Sequence, residues 1–141
     1  MSRYADLGDV LFLMQQSSFH KNWNAEQIDR CIYTPMKYNQ YGIIRNDKGF
    51  PVVFGTWAYP TKEEVNFYLK FKNFPTSGFK SQGKKVWMID FISKKGYTLK
   101  GVKFFRDLFK GQGHYECFWL RMRNNKIGHW NGEKRDLHGW K

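Results

Sequence analysis

The sequence predicts an α/β or α+β sandwich in which helices cover a central sheet. Three observations lead there. Tyr41–Arg45 and Val52–Tyr59 are strand-like runs joined by Asn46-Asp47-Lys48-Gly49, a turn signal, so they form a hairpin. Lys85–Met122 alternates a strong strand, a helix and a second strand. Helix-start signals of the Asn-x-x-Gln and Thr-x-x-Glu kind stand between these runs.

In chain order, Asp6 caps a first helix to about Gln16, with Leu7, Leu11 and Met14 on one face and Val10 beside them. The loop Ser17–Trp23 follows. Asn24 with Gln27 makes a capping box and opens a short helix, expected to stop before Pro35 because a residue preceding proline disfavours helix. After the hairpin, Pro60 ends the strand. Thr61 with Glu64 opens a helix to about Lys72, with Val65, Tyr68 and Leu69 inward. Asn73–Lys84, holding Pro75, Gly78 and Gly83, reads as a loop. Lys85–Ser93 is nearly continuously apolar, broken only by Asp90, which suits a central strand covered on both faces. Thr98 caps a helix to about Lys110, with Leu99, Val102, Phe105, Leu108 and Phe109 as core candidates. Tyr115–Met122 is a strand, Asn124-Asn125 turns the chain, and Ile127–Trp130 pairs back. Residues 132–141 read as a loose polar tail.

The 141 residues suit a single domain, 1–141, with an aromatic-rich core. No apolar run is long enough to span a bilayer and no segment has the layout of a secretory signal. Cys31 and Cys117 make no disulfide framework, and with His114 and His129 they fit no familiar zinc spacing, so no metal is expected and a reducing, cytoplasmic setting is. The net charge of +12 implies a negatively charged partner: nucleic acid, anionic membrane or an acidic protein.

Two residues carry the chemistry. His20 lies in a polar loop between helices and can exchange a proton near neutrality. As a loop residue it is expected to contribute little packing. Asp90 interrupts an apolar strand, where a carboxylate is costly unless partnered. It either pairs with an arginine or caps a loop, or it orients an imidazole by accepting its ring N–H. The junction after it, Lys94-Lys95-Gly96 leading into a helix, points backbone N–H groups at a potential anion.

Four segments, the loop 17–23, the hairpin Asn39–Ala58, the strand Lys84–Ser93 and the stretch Ile127–Lys134, together resemble those of the RTX toxin-activating lysine acyltransferases. Ser-Ser-Phe-His-Lys-Asn-Trp (17–23) is similar to that family's serine-containing histidine loop. The hairpin Asn39–Ala58 resembles its hairpin, and Lys84–Ser93 resembles its Asp-bearing strand. Ile127–Lys134 resembles its last strand and glycine turn. Lys21 stands where the family usually has arginine, Phe91 where it has tryptophan, and Ser93-Lys94-Lys95-Gly96 where it has Ala-Pro-Phe-Gly. The resemblance implies a GNAT-like fold with a mixed, mostly antiparallel sheet. It implies a catalytic His20–Asp90 pair supported by Ser17, Asn22 and Trp23. It places the phosphopantetheine arm of the donor at Lys94, Lys95 and Gly96. No permanently bound cofactor is implied; the donor is the acyl-phosphopantetheine of acyl carrier protein, and the acceptor a lysine on an RTX-toxin-like protein. A homodimer is allowed. Two rivals stand beside this: a relative without catalysis serving as a structural or assembly component, such as a virion part, and a basic nucleic-acid-binding domain. The latter lacks any recognisable motif.

Overall fold

The computed structural model describes residues 2–121 and 124–132; most of the expected 132–141 tail lies outside them. Five strands form one sheet in the order β1-β2-β3-β4-β5. They are β1 Tyr41–Arg45, β2 Pro51–Ala58, β3 Val86–Ser93, β4 Glu116–Arg121 and β5 Lys126–Asn131. β3 and β4 run parallel and every other neighbouring pair is antiparallel, the mixed and mostly antiparallel sheet expected. Among the described residues, no helix is long and apolar enough to cross a membrane.

The first helix, α1, spans Arg3–Met14 and is capped by Ser2, whose hydroxyl accepts from the Ala5 N–H at 3.2 Å. Asp6 is therefore not the cap. It lies in the first turn, accepts from the Tyr41 hydroxyl at 2.6 Å and pairs with Arg45 at 2.9 Å. Arg45 also holds Asp9 at 2.6 Å. Two carboxylates on one guanidinium clamp α1 to β1, which a local reading of capping signals cannot foresee. The inward stripe is Val10, Leu13 and Met14; Leu11, expected inward, is exposed.

The Asn24–Gln27 capping box forms in both directions and opens α2, Ala25–Ile28. The helical path does not stop before Pro35. A π-helical turn, Asp29–Tyr33, follows, and the Thr34 N–H bonds the Asp29 carbonyl five residues back. This resets the ladder, so Pro35 falls in the first turn of α3, Thr34–Lys37, where a missing N–H costs little.

The hairpin turn is built as read: Asn46 accepts from the Lys48 and Phe50 N–H groups, each at 3.0 Å. Thr61 and Glu64 form their capping box and open α4, Lys62–Phe71. The last helix, α5, spans Thr98–Gly111, but Thr98 does not cap it. Tyr97 holds that position without a side-chain bond, while Thr98 meets Ser93 hydroxyl to hydroxyl at 2.8 Å, tying the helix start to the end of β3. Leu99, expected in the core, is 84% exposed.

On one face of the sheet, α1 and the 25–37 helical run pack Val10, Leu13, Ile32 and Met36 on Phe54 and Ile92. Further along that face, Tyr68 of α4 with Phe74 and Phe79 packs on Ala58, Trp87 and Leu120. The other face is covered by α5, whose Phe105 and Phe109 meet Val52, Val53, Trp57 and Val86. The helix comes close because Gly55 of β2 faces it and its own Gly101 faces the sheet; a Cβ on either would approach its nearest neighbour, Phe105 or Val53, to 2.6 or 2.8 Å. The strand buried along its whole length is β2, not β3, which is half open from Met88 to Phe91. That opening is where the site lies.

Candidate active site

The loop between α1 and α2 is a series of tight turns. The N–H groups of His20 and Lys21 both bond the Ser17 carbonyl, at 3.2 and 2.9 Å, and the Trp23 N–H bonds the His20 carbonyl at 3.1 Å. These turns push the imidazole inward, so His20 is only 5% exposed. It is packed between Phe19 and Trp23, with ring centroids 4.9 and 4.6 Å away. The expectation of little packing is thus corrected.

Both ring nitrogens are engaged. His20 Nε2 lies 3.1 Å from Asp90 Oδ1, and Nδ1 lies 2.7 Å from Ser17 Oγ. With Asp90 ionised, Nε2 carries the proton and the basic lone pair sits on Nδ1, facing the Ser17 hydroxyl. Burial pushes the Asp90 carboxyl above the usual carboxylate range, and the hydrogen bond and charge of His20 only partly offset it.

A bulge in β3 decides which face Asp90 occupies. Pairing with β2 runs Thr56 to Asp90 and then Trp57 to Met88, so Ile89 is an extra residue in β3. Val86, Met88 and Phe91 pack with the α5 cluster, while Trp87, Ile89 and Ile92 pack on the opposite face. Strict alternation from Met88 would send Asp90 toward α5. The extra residue brings it to the His20 side instead, a known use of bulges beside sites. Thr56, fully buried, holds the bulge: its Oγ1 accepts the Asp90 N–H at 3.1 Å. The sequence reading missed Thr56. Its signal was a lone hydroxyl in the apolar run of β2.

The ladder between β3 and β4 spans Val86–Met88 against Cys117–Trp119 and stops there. Beyond it the two strands part around a cavity of about 670 Å³. Ser17, His20 and Asp90 line it from one face of the sheet, and Val102, Phe105 and Phe109 of α5 from the other. The cavity therefore passes through the gap in the sheet. Its wall also includes Cys117, weighed in the sequence only for disulfide and zinc roles, and Trp119 and Trp130, which the sequence did not mark for a site.

The remaining expected site residues are less central. Trp23 packs on His20, whereas Asn22 is exposed. Lys94, Lys95 and Gly96 form an exposed turn with Gly96 at φ +92°. Within it the Lys94 N–H bonds the Val52 carbonyl at 2.8 Å and the Tyr97 N–H the Lys94 carbonyl at 3.0 Å. The cavity wall reaches this junction at Thr98. Cys31 and Cys117 are free thiols. Among the described residues, no three His, Cys, Asp or Glu side chains are grouped to hold a metal.

The sequence model of the RTX toxin acyltransferase family matches residues 1–134. The chain is 28% identical over 103 residues to the RTX-II toxin-activating lysine-acyltransferase of Actinobacillus pleuropneumoniae, covering 73% of this chain and 64% of that protein. It is 29% identical over 92 residues to the leukotoxin-activating lysine-acyltransferase, serotype A1, of Mannheimia haemolytica, covering 65% and 54%. It is 26% identical over 110 residues to a protein-lysine myristoyltransferase of Kingella kingae, covering 77% and 65%. The matched stretch thus spans less than two thirds of each of these three relatives.

Proposed function

This chain belongs to the RTX toxin acyltransferase family, and we propose that it is a protein-lysine N-acyltransferase. It moves a fatty acyl group from the thioester of an acyl carrier protein to an internal lysine of a toxin-like protein. One observation carries the reading: a buried histidine with a carboxylate at 3.1 Å, set at a cavity of mainly apolar walls. The relatives' names, toxin-activating lysine-acyltransferases, support this acceptor class.

The chemistry follows from the groups present. A thiolate is a good leaving group, so the obstacle is the lysine, protonated at neutral pH and unable to attack. His20 is the base. The lysine ammonium first gives one proton to His20, which releases it to water. As the neutral amine nitrogen then bonds to the thioester carbon, its second proton passes to His20 Nδ1, directly or through the Ser17 hydroxyl that bonds it. Collapse of the adduct breaks the C–S bond, and the imidazolium returns the proton to the departing sulfur. Asp90 holds the tautomer and steadies the imidazolium.

For the donor, Lys94, Lys95, Lys100 and Lys103 are exposed around the start of α5 and suit an acidic carrier protein. The pantetheine arm would enter past Gly96 toward Thr98. Steering of this kind weakens as salt rises.

A second reading rests on the 2.7 Å contact between Ser17 Oγ and His20 Nδ1. Serine, histidine and aspartate then stand in the order of a nucleophilic triad, and the acyl group would rest on Ser17 before reaching lysine. Direct transfer is preferred, since Ser17 Oγ also accepts the His20 N–H at 3.3 Å as an ordinary turn contact.

The test is incubation with acylated carrier protein and a lysine peptide, read by mass spectrometry. An amide product that needs His20 supports the proposal. Equal transfer by His20→Gln would sink it, and so would oligonucleotide binding without transfer. A stable acyl adduct on Ser17, trapped without acceptor, would replace direct transfer by the two-step route.

A further inference from the structure

We infer that the part of the cavity facing α5 holds the donor's hydrocarbon tail, and that Cys117 and Trp130 at its far end set the longest chain accepted. This rests on the acyl-transfer reading above.

The position of that end follows from strand register. Cys117 pairs with Val86, which precedes Asp90 by four residues on β3. Because Ile89 is bulged out, the register counts three steps, and at about 3.3 Å each this places Cys117 roughly 10 Å along the sheet from the carboxylate. Trp130 is directly opposite Cys117 across β4 and β5, so the two side chains share a face. Both belong to the buried cluster that includes Phe109, near the last turn of α5. Thr98 and Phe109, both lining the cavity, lie at opposite ends of that helix. The groove therefore runs from the donor junction and the His20 gap down to a closed floor.

The lining chooses the occupant. Val102, Phe105, Phe109, Cys117 and Trp130 offer hydrocarbon, ring faces and a thiol that burial keeps protonated, its pKa pushed up to about 12. Arg106 covers the Trp130 ring at 5.5 Å instead of opening the floor to water. A pantetheine arm laid there would bury two amides against apolar walls, which is costly. It fits better at the mouth, beside the hydroxyls of Ser93 and Thr98. An alkyl chain has no such cost and gains with every methylene buried. Carbon–carbon bonds of about 1.5 Å advance an extended chain by roughly 1.3 Å each. About eight carbons beyond the thioester then reach the floor. Short acyl groups would leave the groove empty.

The test reads binding apart from turnover. Free fatty acids from hexanoate to tetradecanoate are titrated into the protein by calorimetry. Affinity is expected to rise roughly fourfold per added methylene and then to level off once the chain meets the floor. Cys117→Leu, which raises the floor, should move that plateau at least two carbons shorter and leave hexanoate unchanged. Trp130→Leu, which lowers it, should move the plateau longer, so the test stands if one variant folds poorly. Melting curves confirm that each variant is folded. A plateau unmoved in folded variants, or all chain lengths shifted by the same factor, would overturn the inference. The two claims also fail separately. A movable plateau without amide formation keeps the groove and sinks the transfer reading. Amide formation whose chain-length optimum ignores both variants does the reverse.

Discussion

The two halves of β3 make an instructive pair. From Val86 to Met88 the strand is laddered to β4, at Trp87 and Met88 to β2 as well, and its side chains pack on both sides. From Ile89 to Ser93 it is laddered to β2, while the ladder to β4 has ended. The first half is core. The second half holds the buried carboxylate, the bulge and the cavity. A missing strand neighbour thus turns sheet into site, because the gap lets side chains from both faces meet around one space. The burial that makes Asp90 costly is also what keeps it close to a histidine.

That contrast can be broken at defined points. The largest effect should come from His20→Gln, which preserves bulk between Phe19 and Trp23 but removes the proposed base. Transfer should drop by at least about 10³-fold, measured as amide formation, with a melting temperature close to that of the parent. Next is Asp90→Asn, where turnover should fall by roughly 10³–10⁴-fold. Its effect on stability has the opposite sign. A carboxyl whose folded pKa is raised by burial destabilises the fold above that value, and the cost disappears as pH falls through it. Asp90→Asn should therefore melt higher than the parent at pH 8, with the gap closing toward pH 4. A variant that loses stability and activity together would make Asp90 a structural residue.

The laddered half should respond differently. Trp87, stacked on Phe118 at 5.4 Å and nearly fully buried, is predicted to cost about 3–5 kcal/mol as Trp87→Ala. Denaturant unfolding reads this, and the protein still folded should turn over normally. The smallest effect is at the boundary. Thr56→Val keeps the shape but strands the buried Asp90 N–H, at about 1–3 kcal/mol. A carboxylate displaced by a fraction of an ångström should lower turnover by about tenfold or more, and Thr56→Ser should restore it. If Thr56→Val matches the parent in rate while losing stability, the bulge does not position the carboxylate.

The strands, the hairpin turn and both capping boxes were legible in the sequence, and His20 and Asp90 already stood out there as a loop histidine and a carboxylate in an apolar strand. All depend on signals a few residues long: alternation, Asn and Gly in a turn, a hydroxyl or amide three residues before its partner. The errors fall where a residue's partner is remote. Asp6 looked like a cap until Arg45 and Tyr41 claimed it. Leu99 fits the helix's apolar pattern but lies where none of the described elements covers it. Pro35 read as a stop because the π turn that accommodates it has no plain sequence mark. The site's last step was decided by tertiary structure alone. Seventy residues separate His20 from Asp90, and one inserted residue, Ile89, sets which face the carboxylate takes. Side-chain direction in a strand alternates with every residue, so a single bulge reverses it, and only pairing with β2 and the Thr56 hydroxyl fixes where that bulge forms.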